Sequence, residues 1–234
     1  LIWKTIVLYI YGIATQEFSM QEIATSPRRP RGRPQRRPDD ETLRLIIEAA
    51  RDAFLSLSFG DVSMVSMARR AGVSTKTMYR LVPTKADLFR KVVAARIEQF
   101  VLELDVGALD ALPLADALTR ILTVQGSLTL GADATALYRL AVTERDRFPE
   151  IAKFFFENAI EPAGRVLEIW LRKQCERGTI KLADPKLSSG MLRGMLIMDP
   201  QRAVLLGQRP LPDAAEIAAR ARTCAEFFLD GCRA

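Results

Sequence analysis

Residues 59–89 read FGDVSMVSMARRAGVSTKTMYRLVPTKADLF, and their punctuation decides the fold. Ser63 stands where a helix N-cap is wanted, and Val65, Ala68 and Ala71 run along one side of the short helix that follows. Ala71-Gly72-Val73 breaks that helix, because Gly72 permits the left-handed backbone of a tight turn. Ser74 caps a second helix of about two turns, which Pro83 ends because the residue before a proline avoids helical geometry. Two short helices about such a turn have the length of a helix-turn-helix, a geometry that presents its second helix to a DNA major groove. On that helix Thr75, Lys76, Thr77, Tyr79 and Arg80 are polar, whereas Met78 and Leu81 can pack inward. Hydroxyls and cations are the groups that read base edges and phosphates.

Upstream, Leu43, Ile46, Ile47, Ala50, Phe54 and Leu57 form one stripe of an amphipathic helix, with Asp39 or Asp40 available as N-cap and Gly60 beyond its end. Downstream, Thr84 and Asp87 have the spacing of a capping box and open a long helix through Leu88, Val92, Ala95 and Gln99. Helical periods then continue over roughly 113–130, 132–145, 149–177, 185–199 and 212–229, with no strand pattern among them. Pro149 is placed for a first helical position, Pro162 should kink its helix, and Gly178 lies where a C-terminal cap belongs. The expected fold is all-α, without internal repeats: an arm over 1–38, a three-helix DNA-binding domain over 39–100, and a helical effector-binding and dimerisation domain over 101–234.

The formal charge is +6, yet residues 28–37 alone carry six arginines and no acid, and outside them basic and acidic residues are equal in number. A like-charged block of this kind reads as an interaction tail for a polyanion. Its prolines and lack of apolar periodicity make it an extended arm. Within it Pro30-Arg31-Gly32-Arg33-Pro34 looks like the core of an AT-hook, in which Arg31 and Arg33 enter a narrow A·T-rich minor groove. A tail that binds phosphates without sequence preference explains the same composition equally well.

Residues 1–14 are apolar but shorter than the roughly 20 residues that span a bilayer. The chain begins with Leu, and Met20 opens a polar stretch as an ordinary start would, so residues 1–19 are expected to be upstream translation. The three cysteines form no CxxC pair and suit a reducing cytoplasm as packing residues. Histidine is absent, which removes the commonest general base and metal ligand. No catalytic constellation, phosphate-binding glycine loop or metal-ligand spacing is visible, so neither enzyme activity, cofactor nor metal is expected, and Glu144 and Asp146 read as solvated.

The segments AGVST, TMY, PTK and DLF, at these separations, resemble the signature of the TetR family of transcriptional regulators over residues 40–100. The resemblance implies that Thr75, Lys76 and Thr77, with Ser74 and Arg80 beside them, approach bases or nearby phosphates. It further implies that Tyr79 meets the phosphate backbone and that Lys85 grips another phosphate, assisted by the positive end of its helix. Val82 departs from the family pattern, which has an aromatic residue there, and so bears on the packing beneath the reading helix. Residues 138–152, YRLAVTERDRFPEIA, resemble the C-terminal domain of one TetR subgroup, which implies a sensor region.

Phe100, Leu122, Tyr138, Phe155, Trp170 and Met195 are the candidate walls of an inner cavity for a small apolar or amphipathic effector, and plain core is the alternative for each. Gly190, Gly194 and Met198 recur on one of the last two helices, and Ala214, Ala218, Ala221, Cys224, Ala225 and Phe228 on the other. Small residues allow close helix approach, so these two helices are the expected homodimer interface, with packing inside one chain as the alternative. With these features, the family resemblance implies a repressor that binds a near-palindromic double-stranded operator as a dimer, with no membrane partner. The competing reading is an architectural protein that binds DNA without sequence preference through its arginine arm. A membrane-surface protein anchored by residues 1–14 is a third.

Overall fold

The computed structural model describes residues 37–103 and 109–232, and what it describes is an array of helices. In chain order they are α1 (Asp39–Ser56), α2 (Met64–Arg70), α3 (Thr75–Leu81), α4 (Lys85–Glu103), α5 (Leu114–Leu130), α6 (Ala132–Thr143), α7 (Pro149–Phe155), α8 (Glu161–Glu176), α9 (Pro185–Leu205) and α10 (Ala214–Asp230). Arg31, Arg33 and residues 1–14 lie outside the described residues, and the side chain of Phe100 does as well.

The local signals of the helix-turn-helix act as their chemistry dictates. Gly72 takes φ 69°, and Ser74 Oγ accepts the backbone N–H of Thr77 at the start of α3. At the start of α4, Thr84 Oγ1 accepts the N–H of Asp87 and donates its own hydrogen to the Asp87 carboxylate. The shorter aspartate thus closes the box on the hydroxyl.

Three sequence expectations shift. The buried side of α2 is Met64, Met67, Ala68 and Ala71, while Val65 is 57% exposed, because a helix repeats every 3.6 residues and Val65 falls off that stripe. Leu57 is exposed just past the end of α1. Neither aspartate caps α1: Pro38 precedes its first turn, and Asp39 instead accepts two hydrogen bonds from Arg80 of α3, each of 2.7 Å.

Prolines shape the second half in two ways. Pro162 follows a π-helical turn, Phe156–Ile160, that joins α7 to α8. A proline ring collides with the carbonyl four residues back, and the wider turn accommodates it, so the expected kink appears as this bulge. The helical period expected over roughly 185–199 extends further in the structure, where α9 runs through Pro200 to Leu205. The missing Pro200 N–H deprives the Leu196 carbonyl of its helical donor, and Arg220 of α10 replaces it, donating Nε–H at 2.8 Å. Arg220 also donates to the neighbouring Met195 carbonyl at 2.7 Å.

α5, α8, α9 and α10 form the body of the C-terminal half. Gln125, nearly fully buried, donates its side-chain amide to the Ala163 carbonyl at 2.8 Å and ties α5 to α8, and Ser189 of α9 donates to Gly164 of α8 at 3.0 Å. A Cβ on Gly126 would stand 2.7 Å from Ile217, so this glycine sets how closely α5 and α10 approach. Just before α5, Asp110 accepts from Lys173 and Arg177 of α8. The Lys173 hydrogen bond is the main reason its carboxyl lies below the ordinary aspartate range.

Candidate functional site

The candidate DNA reader is α3. Ser74, Thr75, Lys76, Tyr79 and Arg80 are exposed and Thr77 is half-buried, while Met78 is fully buried and anchors the helix from beneath. Thr77 Oγ1 lies 2.9 Å from Ser74 Oγ, so these two hydroxyls organise the first turn. Arg80 is braced by Asp39 and keeps half of its side chain in solvent. Val82 is fully buried, so the residue that departs from the family pattern still packs into the core.

Lys85, the expected phosphate contact at the start of α4, has partners within the chain. Its ammonium donates to the Gly60 carbonyl at 3.0 Å and lies 4.8 Å above the Phe59 ring, and the residue is half-buried against the turn after α1. Burial pushes it below the ordinary lysine range, against the opposing pull of Glu144 and Asp61. The physical reason is the acceptor: a carbonyl left open by the turn after α1 is within reach, and an aromatic face stabilises the cation.

Phe59 joins the two halves of the molecule. Its ring packs against Phe54 of α1, Phe89 of α4 and, at 4.8 Å between centroids, Phe148 before α7. Its backbone N–H donates to Glu144 Oε1 at 3.1 Å. Glu144, expected in solvent, is only 5% exposed because it caps this joint, whereas the Asp146 side chain is 85% exposed.

Behind α4 lies a cavity of about 300 Å³. Tyr138 and Phe155 line it, as expected. Leu122 and Trp170 do not, because both are buried in the helix-to-helix core, and Met195 points outward at 42% exposed. In their place Val93 and Ile97 of α4, Leu137 of α6 and Ile197 of α9 supply the apolar wall. Arg96 of α4 and Arg193 of α9 also line it, and neither was foreseen, since an arginine on an amphipathic helix ordinarily reads as solvated. The cavity reaches the surface along Gly190 and Met198, both exposed.

The small residues of α9 and α10 divide differently from expectation. Gly190 and Gly194 border the cavity, and Ala221, Cys224 and Ala225 are buried within the chain, where α10 packs on α5. The outward faces carry larger groups: Leu187, Met191, Met195 and Met198 on α9, and Phe227, 70% exposed, on α10. Among the described residues no helix is long and apolar enough to cross a membrane, and no group of three acidic, cysteine or histidine side chains could hold a metal ion.

The family described as AefR-like transcriptional repressor, C-terminal domain, matches residues 116–232. A TetR-family transcriptional regulator from Mesorhizobium loti superposes with TM-score 0.75 at 26% identity, covering 85% of this chain and 100% of that one. The flavonoid-responsive regulator FrrA superposes with TM-score 0.68, also at 26% identity, over 83% of this chain and 98% of that one. The Bacillus subtilis regulator FadR, solved with stearoyl-CoA, shares the fold at 19% identity and TM-score 0.60, over 80% of this chain and 98% of that one. No curated protein sequence matches the chain. With the family match spanning half its length and the helix-turn-helix in place before it, the chain belongs to the TetR family of transcriptional regulators.

Proposed function

We propose that the protein is a ligand-responsive repressor that binds a near-palindromic operator as a homodimer, reading bases with Thr75, Lys76 and Thr77 and phosphates with Tyr79 and Arg80. The observation that carries this reading is α3 itself: a short helix anchored by buried Met78 and capped by Ser74, with its hydroxyls and cations turned to solvent. Such a helix fits the major groove, and the arginines of the arm add affinity without needing to specify sequence. Release by a ligand draws support from the cavity, because Phe155 lines it and lies 6.5 Å from Phe89 of α4, which in turn packs on Phe54 and Phe59 of the DNA-binding half. A ligand that favours one placement of α4 therefore shifts the reader by its difference in affinity for the two placements. The related FadR and FrrA, one solved with stearoyl-CoA and the other described as flavonoid-responsive, are consistent with small-molecule control.

The test is selection of bound sequences from a random duplex library, at moderate salt, with protein starting at Met20. An enriched palindrome, lost on Lys76→Ala or Thr77→Ala and weakened evenly by Tyr79→Phe, is the expected result. Binding without enrichment would favour the architectural reading and exclude a specific operator.

A further inference from the structure

We propose that Asp39 is a specificity-determining residue of the DNA reader: its carboxylate holds the Arg80 guanidinium in one place, so that Arg80 meets a phosphate only on a duplex that has docked α3 in register. This rests on the reading of α3 as the DNA reader and adds to it a residue outside that helix. Arg80 donates Nη1–H to Asp39 Oδ2 and Nη2–H to Asp39 Oδ1, each at 2.7 Å, so the fork of the guanidinium lies against both carboxylate oxygens. The two residues are 41 positions apart, in the first turn of α1 and the last turn of α3. Both side chains are about half exposed, and a pair so open to water contributes little to stability. What it fixes is position, because a two-point contact sets both the place and the plane of the guanidinium.

Both ends of the pair are anchored. Thr42, nearly fully buried, donates its backbone N–H to the Pro38 carbonyl at 3.0 Å and its hydroxyl to the same oxygen at 2.9 Å, which pins the start of α1. At the other end Arg80 lies between Met78 and Val82, both fully buried. Asp39 takes two of the five guanidinium donors, and three remain for an incoming oxygen. Lys76 stands one helical turn before Arg80 on the same side of α3, nearer the end from which helix-turn-helix proteins reach base edges. The far end, with Arg80, is left to the phosphate backbone. Phosphate contacts carry no sequence by themselves, but they fix the register of a reader on its duplex. A guanidinium that swings finds a phosphate on any duplex, while a held one adds affinity only where the base contacts bring a phosphate to it, and specificity is that difference.

The experiment measures, by fluorescence anisotropy across a salt series, the affinity of the full-length protein for two labelled duplexes: the palindrome enriched from the random library and a shuffled duplex of the same composition. Asp39→Asn should bind the shuffled duplex more tightly, with a slope of log affinity against log salt steeper by about one unit per subunit, since the released Arg80 neutralises a further phosphate. Affinity for the palindrome should change much less, so the ratio between the two duplexes falls about ten-fold, the range expected of a hydrogen bond to a charged group. Arg80→Ala should lower the same ratio from the other side, by weakening the palindrome alone. In the Arg80→Ala background Asp39→Asn should leave the ratio unchanged, because repulsion of phosphates by the carboxylate itself is felt by both duplexes and cancels. An unchanged ratio in Asp39→Asn, or an equal fall with and without Arg80, would overturn the proposal while leaving the reading of α3 intact. A parent protein that binds both duplexes alike would overturn the reading of α3, and the proposal with it.

Discussion

Glu144 accepts the backbone N–H of Phe59 at 3.1 Å across 85 residues of sequence, and this buried bond fastens the DNA-binding half to the sensor half. The same residue faces Lys85, which holds Gly60, so one carboxylate organises the turn after α1 from both sides. Glu144→Ala leaves the Phe59 N–H without its acceptor and should destabilise the protein by about 1–3 kcal/mol, read from urea unfolding. Glu144→Gln keeps an acceptor oxygen and should lose clearly less. Equal stability of the alanine variant and the parent would show that the bond does not fasten the two halves.

Lys85 gives a sharper contrast, because family likeness and geometry assign it different work. Held by the Gly60 carbonyl and the Phe59 ring, it should act on stability: Lys85→Ala is expected to cost about 1 kcal/mol. A lysine that neutralises one phosphate should lower the slope of log affinity against log salt by about one unit when removed. The expected change here is well under that. A full unit lost, with stability unaltered, would return Lys85 to the phosphate.

What could be read from the sequence was what neighbours in the chain decide. Ser74, Gly72 and Pro83 act within a few residues of themselves, and they placed the turn and both of its helices correctly. Residues whose role depends on a distant partner were misread. Glu144 looks solvated until Phe59 is brought to it, and Leu122, Trp170, Tyr138 and Phe155 are equivalent as apolar residues until packing assigns two to the core and two to the cavity. Small residues on α10 signalled close packing, but only the structure names α5 as the helix they approach.

Pro200 belongs to the same class and yields a test by double-mutant cycle. Arg220→Ala removes the donor to the Leu196 carbonyl and should destabilise the chain by about 1–2 kcal/mol. Pro200→Ala restores a backbone N–H that the carbonyl can accept within the helix. In that background Arg220→Ala should cost measurably less, and the difference is the coupling between the two residues. Strict additivity would mean that Arg220 contributes through some other contact, such as its approach to Asp199 at 4.0 Å.

The proposed dimer rests on Met198, which the sequence reading placed at the interface, and on other large side chains that it did not. Met191 and Phe227 are 60% and 70% exposed, and with Leu187, Met195 and Met198 they give the outer faces of α9 and α10 an apolar character that water does not favour. Burying a large apolar side chain contributes about 1.5–3 kcal/mol, so a two-fold interface that covers these residues twice over gains enough for a stable pair. Phe227→Glu places a charge at that surface in both copies. The variant should elute as a monomer by light scattering and keep its helical signal, because Phe227 is 70% exposed in its own chain. It should then bind a single half-site weakly and lose preference for the palindrome. If Phe227→Glu and Met191→Glu together leave the dimer intact, the subunits meet through another face, and the paired readers would need a different two-fold axis.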